Sequence, residues 1–128
     1  MNYTTNVGER GLATEETERL IASDKVEGTA VFDREGNHLG RVHHLMIDKY
    51  GGQVAYVIAA FGGLFGIGEN WIPLPWKALS YEMRVAGYVV DIDRARLEKA
   101  PRYPSTENPD WSDRAYTDQI NKYWFPPL

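Results

Sequence analysis

The run Asn70–Trp76, NWIPLPW, constrains the fold of this chain more than any other stretch. Two prolines two residues apart cannot occupy a helix interior, because each lacks an amide hydrogen and clashes with the preceding turn. The apolar residues around them suit an extended strand instead. Amides at i and i+2 point to the same side of a strand, so Pro73 and Pro75 delete donors from one edge and spare the other. The run is therefore expected at a border or sharp corner of a sheet.

Just before it, residues 62–68 hold four glycines, Gly62, Gly63, Gly66 and Gly68, and such density raises the question of a phosphate loop. Gly63 and Gly68 have P-loop spacing, but Glu69 and Asn70 follow where the chemistry needs Lys and then Ser or Thr. The dinucleotide fingerprint fails as well, because Gly66 and Gly68 are followed by Trp71 in place of its third glycine. Both motifs also have to open a helix whose amides face the anion, which Pro73 and Pro75 forbid. The stretch is expected to be structural. Its glycines let two strands connect tightly, with positive φ where required, while Leu64, Phe65 and Ile67 fold over a barrel end or meet a partner.

The rest of the chain fits a mainly β fold. Residues 1–19 are polar and aperiodic and are expected as a flexible arm. TEETERLIASD can form a short helix capped by Thr14, with Glu15, Glu16 and Glu18 on its exposed side. From Lys25 onward the texture is that of strands. GTAVFD meets the turn REGN, HLGRVHHLMIDK follows, and YGG turns the chain into QVAYVIAAF. That last run is apolar on both faces and belongs in the middle of a sheet. WKALSYEM suggests a short turn. GYVVDID then places Tyr88, Val90 and Ile92 inward and Asp91 and Asp93 outward, before a brief helix, RARLEKAP, stopped by Pro101. Short strands with frequent turns indicate a small antiparallel barrel over residues 25–93. Its expected core is Val31, Val57, Ile72, Leu74, Val90 and Ile92.

Residues 102–128 form a further unit. Arg102 to Pro109 is a proline-containing linker, and the segment after it sets Tyr116, Ile120, Tyr123 and Trp124 on one helical face. That aromatic face needs cover, and a helix so short is marginal in water unless docked. The linker is long enough to reach a second subunit, and a homodimer with exchanged tails is expected.

Chemical candidates are few. With a net charge of −4 over 128 residues, the chain lacks the basic balance typical of nucleic-acid binding. No cysteine is present, so disulfides and thiolate metal sites are excluded. His43 and His44 are neighbours in an expected strand, so their side chains should point to opposite faces, and His38 lies six residues from His44. No metal site is expected. Asp91 and Asp93 share a face and could pair for acid/base work, but a solvated surface opposite the core is the simpler reading. No nucleophile motif is present. The N-terminus lacks the apolar core of a signal peptide, no uncharged run is long enough to span a bilayer, and a cytoplasmic location is expected.

Several blocks together resemble the PRC-barrel domain: LIASDKVEGTAV, the Gly36, Gly40 and Val42 spacing, GGLFGIGE, PLPW and GYVVDI, in that order over residues 20–101. The family is named for the cytoplasmic domain of the photosynthetic reaction centre H subunit and also supplies part of a ribosome maturation factor. The tail, with Trp111 and Tyr123-Trp124, is similar to that of short stand-alone bacterial members. The resemblance implies a β-barrel of about six strands used for protein binding, with no catalytic residues and no cofactor. The expected function is a non-enzymatic, self-associating interaction module. The alternative is a peripheral subunit or assembly factor of a membrane electron-transfer complex, although the chain carries neither the H subunit's membrane helix nor the maturation factor's RNA-processing domain. The residues expected to meet a partner are Leu64, Phe65, Ile67, Trp111, Tyr116, Ile120, Tyr123 and Trp124.

Overall fold

A computed structural model describes residues 19–61 and 70–127. The Thr14 cap and the glycine-rich loop lie outside the described residues. Most of the short helix expected from Thr14 onward also lies outside them; Arg19 to Ala22 are not helical, and the first helix among the described residues, α1 (Ser23–Val26), is a single turn.

The mainly β reading holds. β1 (Ala30–Phe32) and β2 (His38–Ile47) form a hairpin closed by Asp33. Its buried carboxylate accepts hydrogen bonds from the amides of Glu35 and Asn37 at 2.9 and 2.8 Å and from the Asn37 side chain at 2.9 Å. Gly36, at φ +90°, supplies the left-handed turn residue. β3 (Val54–Ala60) returns along β2, and β4 (Asn70–Pro75) returns along β3. The apolar β3 run thereby lies inside the sheet, and Val57, Ile58 and Ala59 are buried although successive residues face opposite sides.

A 3-10 turn (Trp76–Ala78) leads into β5 (Leu79–Glu82), which pairs with β6 (Gly87–Val90). The segment expected as a turn is thus turn and strand together. α2 (Arg94–Glu98), β7 (Tyr103–Pro104) and α3 (Arg114–Trp124) complete the described chain.

The strand order is β5-β6-β1-β2-β3-β4-β7. Three details depart from the sequence reading. Among the described residues the sheet has seven strands, where about six were expected. It is not antiparallel throughout, because Val31 lies beside Tyr88 and Phe32 beside Val89 in a parallel pair. The cause is topological: β3 already occupies the far edge of β2, so the β5–β6 hairpin adds to the free edge of β1, with β6 running alongside. Nor do the described end strands, β5 and β7, pair to close the sheet.

The wrap of the sheet depends on β2. Its first half pairs with β1 and its second half with β3, and Gly40 sits at the changeover. A Cβ at Gly40 would lie 2.2 Å from the Ala60 carbonyl oxygen, so no other residue fits without moving backbone. The enclosed core holds Val31, Val42, Val57, Ile72, Leu74 and Val90 from the strands and Leu97 and Ile120 from the helices, all fully buried. Ile92 is only half-buried, because β6 ends at Val90.

Candidate functional site

The tail seats on the chain's own sheet. α3 begins at Asp113, whose side chain accepts a hydrogen bond from the Ala115 amide at 3.0 Å. Its apolar face brings Ile120 and Trp124 into the core, with Trp111, Tyr116 and Tyr123 packed against it. Arg96 of α2 clasps the end of the helix. Its guanidinium donates to the Tyr123 carbonyl at 2.5 Å and lies 4.5 Å from the centre of the Tyr123 ring, while the Tyr123 hydroxyl donates to the Arg96 carbonyl. Five of the eight residues expected to meet a partner are therefore brought together and engaged in cis. Leu64, Phe65 and Ile67 lie outside the described residues.

The expected linker is also tied down. Tyr103 pairs with Trp71 and Pro104 with Asn70, on the side of β4 that Pro73 and Pro75 strip of donors farther along. Pairing stops short of the first proline, which is the physical reason β7 is only two residues long. Behind this pairing runs a row of rings: Trp71 to Tyr103 at 5.9 Å, Tyr103 to Trp111 at 6.3 Å, and Trp111 to Tyr116 at 5.6 Å and Tyr56 at 5.2 Å. Burial, and secondarily Tyr116, pushes the Tyr103 hydroxyl up to about 12. Burial raises Tyr116 too. Both phenols therefore stay protonated at neutral pH, and the row packs the tail against β3 and β4.

The histidines depart from expectation. A β-bulge between Val42 and His44 puts an extra residue into β2, which breaks the strict alternation of faces. His43 and His44 consequently meet, Nδ1 to Nδ1 at 2.8 Å, and both rings rest against Trp71, at 4.3 and 5.1 Å. Burial first, and His43 second, hold the His44 imidazole below its ordinary value. Nothing in the sequence marks the bulge, because no glycine or proline accompanies it.

Asp91 and Asp93 do not form an acid/base pair. Asp91 makes an exposed ion pair with Arg34 at 2.8 Å, and Asp93 caps α2 by accepting from the Arg96 amide at 2.8 Å. The cleft beside them, of about 410 Å³, is lined by Arg34, Lys77, Glu82 and Asp91 together with Trp124 and Phe125. Both signs of charge are mixed along it. Among the described residues no three His, Cys, Asp or Glu side chains come together as a metal site, and no helix is long and apolar enough to cross a membrane.

The two ends of the sheet differ most. At the β4 end, the prolines, β7 and α3 leave little backbone to pair. At the other end, no described strand pairs with the outer edge of β5. Here Trp76 is 38% exposed, Tyr81 42%, Met83 75% and Val85 43%, four large apolar side chains within ten residues. Sequence reasoning missed this edge. The signal available was the alternation of Leu79 and Tyr81 with Ser80 and Glu82, which is a strand period rather than a turn.

With this geometry in view, the sequence model of the PRC-barrel domain matches residues 18–97. No curated protein matches the chain.

Proposed function

The chain belongs to the PRC-barrel domain family, and from that premise we propose that it is a non-enzymatic protein-interaction module that pairs with a second copy of itself along β5. The observation that carries this reading is the asymmetry of the sheet. An unpaired strand edge offers a row of backbone donors and acceptors, and proteins normally protect such edges with prolines, charges or covering elements. The β4 end has that protection. The β5 end instead presents Tyr81 from the strand, and Trp76, Met83 and Val85 from the turns that flank it, to solvent among Lys77, Glu82 and Arg84, an aromatic and apolar surface with a charged rim of the kind interfaces use.

Self-pairing suits the local side chains. Two β5 strands running antiparallel about a two-fold axis at Ser80 set Leu79 of each copy opposite Tyr81 of the other, on one face of the joined sheet. The interface is then isologous, with each favourable pair made twice. Exchange of tails supplies no comparable reason to dimerise, because the aromatic face that needed cover is covered in cis.

Sedimentation equilibrium on the full chain tests the proposal. A reversible dimer is expected, weakened by Tyr81→Lys, which sets a charge against the partner copy's apolar strand. A chain that stays monomeric at its highest soluble concentration, or a dimer indifferent to that substitution, overturns the β5 pairing.

A further inference from the structure

We propose that His43 and His44 form a surface site for a divalent transition metal of tetragonal preference, Cu(II) foremost, held by the two Nδ1 atoms that the β2 bulge places 2.8 Å apart. The spacing is that of a hydrogen bond between the two rings, and it is also close to the separation of two neighbouring ligands on one metal. Imidazole nitrogens bind at about 2.0 Å, so two ligands at a right angle stand about 2.8 Å apart, whereas a tetrahedral zinc centre separates them by about 3.3 Å. The pair therefore matches neighbouring corners of a square better than corners of a tetrahedron. Cu(II) also heads the affinity order for nitrogen sites.

The surroundings support a cation there. His43 is exposed and His44 half-buried, so the site is open to solvent on one side. Trp71 backs both rings and restricts their rotation. The ladder on either side of the bulge, Val42 with Ala59 and His44 with Ile58, fixes the backbone that carries them. Glu27 acts on His44 as a negative charge, which favours a bound dication. At present the two Nδ1 atoms are at hydrogen-bonding distance, so a single proton occupies the position between them. For both Nδ1 atoms to ligate, the imidazole that carries this proton moves it to its own Nε2 through solvent as the rings turn, both rings stay neutral, and water completes the coordination. Among the described residues no third protein ligand joins the pair, so the expected site is of modest affinity.

Copper(II) chloride titrated into the full chain near neutral pH tests this. Tryptophan fluorescence should be quenched with saturation at one equivalent, and electron paramagnetic resonance should show a tetragonal copper centre with nitrogen hyperfine coupling. His43→Ala and His44→Ala should each raise Kd by about tenfold or more, while His38→Ala changes nothing and zinc binds the native chain more weakly. Trp71→Phe should remove most of the quenching and leave the resonance spectrum in place. Circular dichroism on each variant confirms that it is folded. The resonance spectrum of the unaltered chain stands independently of any substitution. A spectrum without nitrogen coupling, or saturation that persists with both histidines replaced, overturns the site.

Discussion

Gly40→Ala is the sharpest test of how the sheet wraps. The added methyl carbon lands 2.2 Å from the Ala60 carbonyl oxygen and 2.9 Å from the Phe61 Cα, and both are backbone. The nearest ordinary carbon–oxygen approach is about 3.3 Å, so β2 and β3 must part by about 1 Å. Forced overpacking costs about 1–3 kcal/mol, and a ladder hydrogen bond lost in the separation adds about 1 kcal/mol more. We take about 3 kcal/mol as the central expectation, which lowers the melting temperature of a domain this size by about 10–15 °C. Gly28→Ala is the matched control. At φ +88° with nothing within 4 Å of the new methyl, it carries only the left-handed penalty, about 1–2 kcal/mol. Thermal melts followed by circular dichroism compare the two directly. If Gly40→Ala melts with the unaltered chain, or if Gly28→Ala is the more damaging, then β2 does not press on β3 at the changeover.

Two further outcomes follow from the docked tail and the Asp33 turn. Ile120→Ala should cost about 2–5 kcal/mol, because Ile120 is fully buried, and a chain ending at Pro104 should melt at a lower temperature than the full one. Unchanged melting in both would detach α3 from the sheet. Hydrogen bonds from the Asn37 side chain and then the Asn37 amide hold the Asp33 carboxyl below the usual carboxylate range. A depressed carboxylate stabilises the fold above its unfolded value of 3.8 and loses that contribution as pH falls through the lower folded value. Urea midpoints should therefore drop as pH is lowered through that region, and Asp33→Ala should flatten the dependence. An unaltered slope in the variant assigns the effect to other groups.

What was legible in the sequence is what local chemistry determines. The prolines in NWIPLPW located the guarded border of the sheet, the double-sided apolar run located its interior, and the helical spacing of Tyr116, Ile120 and Trp124 located the tail helix and its buried face. The failures share a different cause. The parallel contact of β1 with β6 is set by which sheet edges remain free once β2, β3 and β4 have paired, and no single segment encodes that. The bulge at His43 is one residue of register, so it moved two side chains onto a common face without any compositional sign. Tyr103 was taken for linker because two residues of strand carry no periodicity. It is held by Trp71 and Trp111, which lie far from it in sequence or in a different element. The β5 edge was a true misreading of an alternation that was present.

The parallel contact between β1 and β6 also bears on the order in which the protein comes together. β2, β3 and β4 are sequential neighbours and can zip from their own hairpins. β1 joins β2 in a hairpin of its own, but its outer edge has to wait for a strand roughly sixty residues farther along the chain, a closure whose entropy is spent before any contact repays it. On a ribosome the meander is complete while β6 is still being synthesised, and through that interval the outer side of β1 is a vacant edge. The β5–β6 hairpin is the piece that ends this exposure. A lesion that slows it, such as a bulky residue at Gly87, where a Cβ would meet the Ala30 carbonyl oxygen at 2.7 Å, acts on folding yield in the cell before it acts on anything the finished protein does.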